Sequence, residues 1–441
     1  MKRRLVLLSF AFLCSAVAIG QTQEKIKYTE YDLDNGLHVI LHQDHSSPNV
    51  MVSLMYNVGA KNEDPGKTGF AHFFEHLMFE GSENIGRGEY MKIIQANGGN
   101  LNANTSQDRT YYFEMMPANQ LELALWMESE RMLHAKIDTI GVNTQKGVVI
   151  EERKQSYDNR PYGTWREKIG ELAFTVHPYR WQTIGDPEHI RNATFDDINN
   201  FYKTYYVPNN AVLVIVGDFK EGLAKEWIQK YFGDIPKGTR PMFRPTVVEP
   251  TDKTEVREVV YDKIQMPALF MAYHSPAMGT KDSYALEGLC YILHGGNSSR
   301  FKTNITDKGL ALEALAVPMA MEHPSLAFVI GFANAGGNLE DLEKVIDTEI
   351  DKVINNLVTE EEFQMAMAAK ETQLANKLIS ISDKAEMFAD NYTYFKDASR
   401  INKQLENYST LTREDLRNAA KKYLNKNNRV VLYYLPESMK K

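Results

Sequence analysis

The chain has 441 residues, of which 43% are hydrophobic and 24% are charged. This composition is ordinary for a soluble globular protein, and the length alone predicts about three domains. A formal net charge of -8 at pH 7, with no block of basic residues after Arg4, argues against a nucleic-acid-binding protein.

Residues 1–20 have the layout of a secretory signal peptide, with three basic residues, an apolar run and then small residues up to Gly20. A retained membrane anchor is the alternative, but the run is shorter than the about 20 apolar residues that a span needs. Cleavage would remove Cys14 and three positive charges, which leaves a net charge of -11 and one cysteine, Cys290. We therefore expect an exported, periplasmic protein without disulfides and without a membrane span after cleavage.

Strand-like segments with β-branched and aromatic residues recur along the first half of the mature chain. Some form hairpin-like pairs, and others stand singly between long amphipathic segments such as NQLELALWMESERMLH. This mixture predicts an α+β fold with a mainly antiparallel sheet. The predicted strands are LHVILHQ, VMVSLMYNV, RTYYFEMM and AVLVIVGDF.

One aromatic stretch, FAHFFEHLMFE, contains two histidines and a glutamate where a core helix would prefer leucine. The absence of proline predicts a helix over 69–80, with Thr68 as its N-cap. His72 and His76 then lie one turn apart on one face, and Glu75 lies beside them. The alternative is an amphipathic helix that merely carries polar residues, but an apolar surrounding makes unpaired polar groups costly. Two imidazoles and a neighbouring carboxylate favour metal-assisted hydrolysis.

A catalytic zinc commonly takes three protein ligands, so the two histidines are not enough. The best further candidates are Glu151 and Glu152 in KGVVIEERKQ, on a helix predicted over 143–157. The residues alone do not separate these two carboxylates.

An internal repeat relates the two halves of the chain: residues 194–216 match residues 412–434 at an offset of 218. Each copy begins with Thr-x-x-Asp, continues to paired asparagines and ends in an aliphatic run, which predicts a capped helix, a turn and a buried strand. The second half carries apolar residues and Cys290 in the region that corresponds to the histidines.

The repeat predicts two homologous domains and overrides the estimate from length. We place them at 25–234 and 255–441. Residues 235–254 are rich in proline and charge and are interpreted as a linker.

His72-Phe73-Phe74-Glu75-His76, followed by Val148-Val149-Ile150-Glu151-Glu152-Arg153, resembles the pitrilysin/insulinase family of zinc metallopeptidases, whose motif inverts the order His-Glu-x-x-His. Segments 98–114, 177–185 and 206–219 are also similar to family segments. The resemblance is nearest to the branch that contains mitochondrial processing peptidase and bacterial two-domain relatives.

The resemblance implies a role for each residue of the motif. His72, His76 and Glu152 would be the ligands of one zinc ion per chain. Glu75 would be the general base that deprotonates the zinc-bound water.

Outside the motif, the resemblance implies that Asn102 and Ala103 lie on a strand whose edge pairs with the substrate backbone. Arg300 matches an arginine of the second domain that contacts substrate. The chain also departs from the family pattern: Leu312 stands where a tyrosine is expected, and Gln145 stands where several relatives carry an acid.

The resulting prediction is a zinc-dependent endopeptidase that acts on extended or unfolded peptides in the cell envelope. The alternative is a non-catalytic or partner-dependent structural subunit of a two-chain peptidase. A homodimer, or a heterodimer with a related two-domain chain, is implied by the resemblance. Metal storage is a third interpretation, but it does not account for Glu75.

Overall fold

The computed structural model of the protein describes residues 25–250 and 254–440. The predicted signal peptide lies outside these residues. In the described chain the strands form two sheets, and each sheet is antiparallel except for one parallel pair. The predicted α+β class with mainly antiparallel sheets is confirmed.

The first sheet has six strands in the order β1-β2-β6-β3-β5-β4. Its central strand β6, with the sequence AVLVIVG, is buried along its whole length because both faces of the sheet are covered. The outermost strand β4, NLNANT, has alternating exposed asparagines. The strands are β1 (Thr29–Asp32), β2 (His38–Gln43), β3 (Asn49–Tyr56), β4 (Asn100–Thr105), β5 (Thr110–Pro117) and β6 (Ala211–Gly217).

The second sheet has five strands in the order β7-β11-β8-β10-β9. This order repeats the arrangement β2-β6-β3-β5-β4 of the first sheet, including the parallel pair at one end. The internal repeat predicted from the sequence is therefore confirmed in the topology. The strands are β7 (Val256–Asp262), β8 (Ala268–Ser275), β9 (Glu313–Pro318), β10 (Ser325–Phe332) and β11 (Arg429–Pro436).

The helices of the described residues are α1 (Phe70–Leu77), α2 (Tyr90–Ala96), α3 (Leu121–His134), α4 (Thr139–Arg153), α5 (Trp165–Ala173), α6 (Pro187–Asn192), α7 (Phe195–Tyr205), α8 (Glu221–Phe232), α9 (Lys281–His294), α10 (Leu339–Asn355), α11 (Glu360–Lys377), α12 (Ile381–Phe395), α13 (Gln404–Ser409) and α14 (Arg413–Tyr423). The two repeated helices, α7 and α14, both begin with the predicted reciprocal Thr–Asp capping box. None of the helices in these residues combines the length and the apolarity needed to cross a membrane.

Each sheet packs one face against helices of its own half and the other face against a helix from the other half. α12 lies on β3 and β6, where Phe388 and Ala385 join a core with Met51 and Val214. This exchange means that neither half buries both faces of its sheet alone.

The reciprocal contact is made by α5, which lies on β8 and β11. There the Trp165 ring stacks on Phe270 at 4.8 Å between ring centroids. The predicted division at residues 235–254 stays a prediction, since the exchanged helices tie the two halves into one packed body. The described part of that segment, 235–250, contains no helix or strand.

Lys384 of α12 donates to Asp44 at the turn between β2 and β3, and both side chains are largely buried. Arg109, the residue before β5, donates to Glu386 of the same helix at 2.8 Å. The contact between α12 and the first sheet therefore includes ion pairs as well as apolar packing.

Candidate metal centre

Helix α1, which carries the two histidines, is preceded by Gly69, which has a positive φ of 90° and offers no capping side chain. The predicted N-cap, Thr68, is wrong: its hydroxyl lies 2.9 Å from His189 Nδ1 instead. The capping role falls to Glu63, whose carboxylate accepts hydrogen bonds from the backbone of Gly69 at 2.9 Å and of Ala71 at 2.8 Å. Because Glu63 is 2% exposed, α1 starts from a fixed, buried carboxyl group, and burial raises the pKa of Glu63 to about 8 although the backbone hydrogen bonds oppose that rise.

The side chains of His72 and His76 project from α1 with their Nε2 atoms 3.3 Å apart. Glu152, near the end of α4, places Oε2 3.3 Å from His76 Nε2 and 3.7 Å from His72 Nε2. Two ligands bound tetrahedrally to zinc at about 2.0–2.1 Å are separated by about 3.3 Å. These three donor atoms therefore fit the face of a tetrahedral zinc site.

Glu151, the neighbouring candidate, points elsewhere. Its carboxylate lies 3.2 Å from Lys154 Nζ, and its side chain is 56% exposed. The geometry thus separates two residues that the sequence pattern could not, and it brings Glu152 to the histidines. The helix also begins earlier than predicted, because Asp138 caps it through the backbone N–H of Gly141.

The protonation states of His72 and Glu152 favour binding of a cation. Burial lowers the pKa of His72 to about 4, so its imidazole is neutral at pH 7. A hydrogen bond from His76 holds the pKa of Glu152 below its usual range. Burial alone would lower the pKa of His76, but the hydrogen bond and charge of Glu152 more than offset it and raise the pKa. His72 Nδ1 is buried without a hydrogen-bond partner among the described residues.

Glu75 lies on α1 between the two histidines in sequence and is half-buried. Thr105, the last residue of β4, donates a hydrogen bond of 2.6 Å from Oγ1 to Glu75 Oε2. Burial raises the pKa of Glu75, and the Thr105 hydrogen bond opposes that rise. The sequence reasoning did not single out Thr105, since nothing in the pattern NANTS marks a partner for a helix that precedes it.

Asn102 and Ala103 lie on β4, the outermost strand of the first sheet. Asn102 is exposed, and its Oδ1 accepts a hydrogen bond of 2.9 Å from the backbone N–H of Ala103. This N–H therefore does not contribute to the ladder with β5. The side chain of Asn102 covers a backbone donor that an incoming strand would need.

Comparison with known proteins identifies the family. The family model described as Insulinase (Peptidase family M16) matches residues 38–186, and the model described as Peptidase M16 inactive domain matches residues 192–370. The chain is 30% identical over 439 residues to the zinc protease PqqE of Helicobacter pylori. The match covers 98% of this chain and 99% of that protein. The chain belongs to the insulinase family, peptidase family M16.

Solved structures agree on the fold. The crystal structure of a protease from Helicobacter pylori matches with a TM-score of 0.89 at 29% identity, over 93% of this chain and 100% of that one. The periplasmic protease PqqL from Escherichia coli matches with a TM-score of 0.75 at 18% identity, over 93% of this chain and 47% of that one. At that identity the second match shows a shared fold only.

Arg300, predicted to contact substrate as in the insulinase family, is engaged within the second half. Its Nε and Nη2 donate to the two oxygens of Glu362 at 2.7 and 2.9 Å. Glu362 also closes the capping box of α11 with Thr359. A substrate group would therefore have to displace Glu362 from a bidentate ion pair in order to bind Arg300.

Two further positions depart from the family pattern. Leu312 is 53% exposed and cannot supply a hydroxyl. Gln145, on α4, donates from Nε2 to the buried carboxylate of Glu80 at 2.6 Å. Glu80 in turn pairs with Arg87. Gln145 thus links α4 to the segment that follows α1.

Proposed function

We propose that this protein is a zinc-dependent endopeptidase that hydrolyses extended or unfolded peptides. One observation carries the proposal: the donor atoms of His72, His76 and Glu152 lie within 4.8 Å of one another. Glu75 stands beside them with its carboxylate held by Thr105. Relatives in the insulinase family that are named zinc proteases support the same chemistry.

His72, His76 and Glu152 would hold the zinc ion. Bound there, zinc would polarise the scissile carbonyl and make the attacking water more acidic. Glu75 accepts the proton of that water and delivers it to the leaving nitrogen. Thr105 fixes one oxygen of Glu75, so that the other is free to face the water. Glu63 holds α1, and with it both histidines, at a set position.

The outer edge of β4 supports a preference for extended chains. A peptide that pairs with this edge would displace the side chain of Asn102 and accept the N–H of Ala103. Pairing of this kind reads backbone groups and needs an unfolded segment of substrate. Folded proteins are therefore expected to be poor substrates.

We test the proposal with the purified full-length mature chain. We expect one zinc per chain by elemental analysis and cleavage of a fluorescence-quenched, unstructured peptide. Glu75→Gln should keep the zinc and lose cleavage by about 10² to 10⁴-fold. Zinc binding without cleavage by the wild type would contradict the function for the isolated chain.

Glu152→Ala and Glu151→Ala form a matched pair for the ligand assignment. The first should lose zinc, and the second should keep it, because only Glu152 reaches the histidines. The reverse result would show that the assignment is wrong.

A partner-dependent subunit is the second candidate function, favoured by the state of Arg300 and Leu312. Loss of one donor to an oxyanion costs about 10² to 10³ in rate, so the isolated chain would be slow. The proposal then requires a homodimer, or a heterodimer with a related chain, that supplies the missing donor. Analytical ultracentrifugation with parallel assays at rising protein concentration separates the two: activity per chain should rise with association.

We also propose that the protein works in the periplasm after export. The layout of residues 1–20 supports this, and the fold is shared with a protease named as periplasmic. Fractionation of cells that express the full-length chain, with N-terminal sequencing of the mature form, tests both the location and the cleavage near Gly20.

A further inference from the structure

A polar cavity of about 390 Å³ lies where three parts of the chain meet. The first part is the turn before β6, which contains the paired asparagines Asn209 and Asn210. The second is the end of α12, at Lys396, and the third is Arg244 in the segment that follows the first half. Cavities of about 300–1,000 Å³ commonly hold small-molecule ligands. None of the candidate metal ligands lines this cavity, so it is a separate space.

Arg244 contributes a positive charge that has no acidic partner among the described residues. Its Nη2 donates to Asn210 Oδ1 at 2.6 Å, and its Nη1 is buried without a hydrogen-bond partner in that part of the chain. Burial lowers the pKa of Arg244, although Tyr205 and Glu322 oppose that change. A guanidinium stays protonated in proteins, so its burial costs free energy that a bound anion would offset.

Lys396 supplies a second positive charge at the same cavity. It ends α12 with a φ of 53°, in the left-handed region that glycine usually occupies at this place in a helix. Its Nζ lies 4.9 Å from the centroid of the Tyr392 ring, and no described carboxylate pairs with it. Partial burial and the charge of Arg244 lower the pKa of Lys396, whereas Glu322 and Asp32 oppose that change. A lysine where glycine would fit the backbone better indicates a use for its charge.

The acids that act on these two cations are engaged elsewhere. His38 lines the cavity, and its Nδ1 lies 2.8 Å from Asp32 Oδ1 while its Nε2 lies 3.3 Å from Glu30 Oε2. Glu322 Oε2 lies 2.8 Å from the Nζ of Lys61. Each of these carboxylates therefore has a partner of its own, and the two cations at the cavity stay without one.

The related place in the second half differs in this respect. The turn with Asn427 and Asn428 also lines a cavity, and Lys422 stands on its wall. There the lysine donates to Asp282 Oδ2 at 2.8 Å, so its charge is neutralised within the chain. The repeated fold therefore does not require unpaired cations beside the paired asparagines.

The chemistry of the wall indicates the class of ligand. Two unpaired cations match a dianion, and a phosphate monoester carries a charge of about −1.5 to −2 at pH 7. The guanidinium of Arg244 can bind two phosphate oxygens at once. Asn57 also lines the cavity, and its Oδ1 is buried without a hydrogen-bond partner among the described residues. A ligand hydroxyl that donates to this oxygen would gain a further bond.

We propose that this cavity is a binding site for a small phosphate monoester that carries a hydroxyl group. The phosphate lies between Arg244 and Lys396, and the hydroxyl donates to Asn57 Oδ1. Such a ligand ties the segment around Arg244 and the end of α12 to the start of β6. Because it binds only the folded chain, it raises the free energy of unfolding. The inference does not depend on the proposed peptidase function.

The test measures binding of three anions to the zinc-loaded mature chain by isothermal titration calorimetry. The ionic strength is kept constant, because salt screens exposed charges. Glycerol phosphate carries a hydroxyl, methyl phosphate does not, and acetate is a monoanion of similar size. We expect glycerol phosphate to bind at one site per chain, about 3- to 10-fold more tightly than methyl phosphate. It should bind at least about 10-fold more tightly than acetate.

Variants of the wall test each contact. Arg244→Met should weaken binding of glycerol phosphate by about 10- to 100-fold. Arg240→Met is the matched control, because Arg240 is an exposed residue of the same segment that also donates to an asparagine, Asn200, at 2.9 Å. It should leave the affinity unchanged. Asn57→Ala should make glycerol phosphate and methyl phosphate bind alike.

Lys396→Gly separates binding from folding. It should weaken binding of glycerol phosphate by about 10-fold or more. The Tm of the ligand-free protein, measured by differential scanning fluorimetry, should stay the same or rise, because glycine adopts a positive φ at no steric cost. This variant keeps the test decisive if Arg244→Met fails to fold.

Absence of binding to the wild type overturns the site. Binding that survives unchanged in folded Arg244→Met or in Lys396→Gly does the same, since the anion then lies elsewhere, for instance on the zinc ion. Acetate that binds as tightly as glycerol phosphate overturns the assignment of a phosphate, and methyl phosphate that does so overturns the role of Asn57. Binding lost in the wall variants, from a wild type that cleaves no peptide, would support the site and reject the peptidase function alone.

Discussion

The two halves of the chain build the same sheet and place an equivalent helix pair against it, yet they fill the space between the helices differently. In the first half, α1 and α4 meet across imidazoles and a carboxylate. In the second half, α9 and α11 meet around buried leucines and Cys290. The ion pair of Glu287 and Lys370 also lies between these helices, but in the described residues the second half has no group of metal-ligating side chains like that of the first half. The polar residues of the first half carry a cost in stability, and chemistry is the benefit that explains them.

The largest effect is expected from a variant in which α1 carries an apolar residue, as α9 does. His72→Leu removes a ligand and an imidazole whose Nδ1 is buried without a partner. We expect loss of zinc and a fall in peptide cleavage of at least about 1,000-fold, since several kcal/mol of charge stabilisation are lost. The free energy of unfolding of the metal-free protein should stay the same or rise by about 1 kcal/mol. Elemental analysis and urea unfolding measure the two effects.

The reciprocal variant is the control for that experiment. Leu289→His puts an imidazole at a position of α9 that is 0% exposed. It should lower the free energy of unfolding by about 2 kcal/mol and bring no metal, because a single histidine does not supply the about three protein ligands that zinc commonly takes. A metal-free His72→Leu protein that is clearly less stable than the wild type would show that the histidine supports the fold itself.

The exchanged helices offer a second comparison, because α12 is docked with a buried ion pair and α5 with stacked aromatic rings. Burial alone would raise the pKa of Asp44, but Lys384 and Ser46 hold it well below its usual range. Since the pKa is lower in the folded state, this stabilisation is present above the unfolded pKa of about 3.9 and is lost as pH falls below it. Asp44→Asn should cost about 3 kcal/mol at pH 7, because Lys384 stays buried without its partner.

Urea unfolding at pH 7 and at pH 3 checks this expectation. The difference in free energy of unfolding between the wild type and Asp44→Asn should be smaller at pH 3. Asp341→Asn is the matched control, since Asp341 pairs with Lys344 on an exposed surface. It should change the free energy of unfolding by less than about 0.5 kcal/mol. A gap that is equal at both pH values would mean that the ion pair does not hold α12.

The smallest expected effects compare how α1 and α9 begin. Thr280 caps α9 through the backbone N–H of Ser283, whereas α1 depends on the distant Glu63. Thr280→Ala should cost about 1 kcal/mol of stability and leave zinc binding unchanged. Glu63→Ala should weaken zinc binding by about 10- to 100-fold, because it releases the helix that carries two ligands. Competition with a zinc-binding dye measures the affinity, and equal zinc affinity in both variants would contradict a positioning role for Glu63.

Local signals in the sequence were the reliable ones. The Thr-x-x-Asp boxes at Thr194 and Thr412, the turns with paired asparagines and the aliphatic strands after them depend on neighbours within a few residues, and the structure has them as predicted. The histidine pair on α1 is of the same kind, since its geometry follows from helical periodicity.

Features that depend on contacts between residues distant in the chain could not be predicted from the sequence pattern. Glu63 caps a helix six residues away and displaces the predicted Thr68, because a buried carboxylate and Gly69 together fix the chain there. Amphipathic periodicity carries no information on which sheet a helix covers, so the exchange of α5 and α12 between the two halves could not be predicted from it. Thr105 reaches Glu75 only because the tertiary fold packs β4 against α1.

The exchange of helices also affects how the chain folds during its synthesis. The face of the first sheet that contains Met51 and Val214 is covered by α12, which follows the last strand of that sheet by about 160 residues. At a synthesis rate of about 5–20 residues per second, that face stays open for about 10–30 s after its strands have left the ribosome. We therefore expect chaperones that bind exposed apolar surface to bind the newly synthesised first half. A chain truncated before Ile381 should aggregate although all six strands and the metal ligands are present.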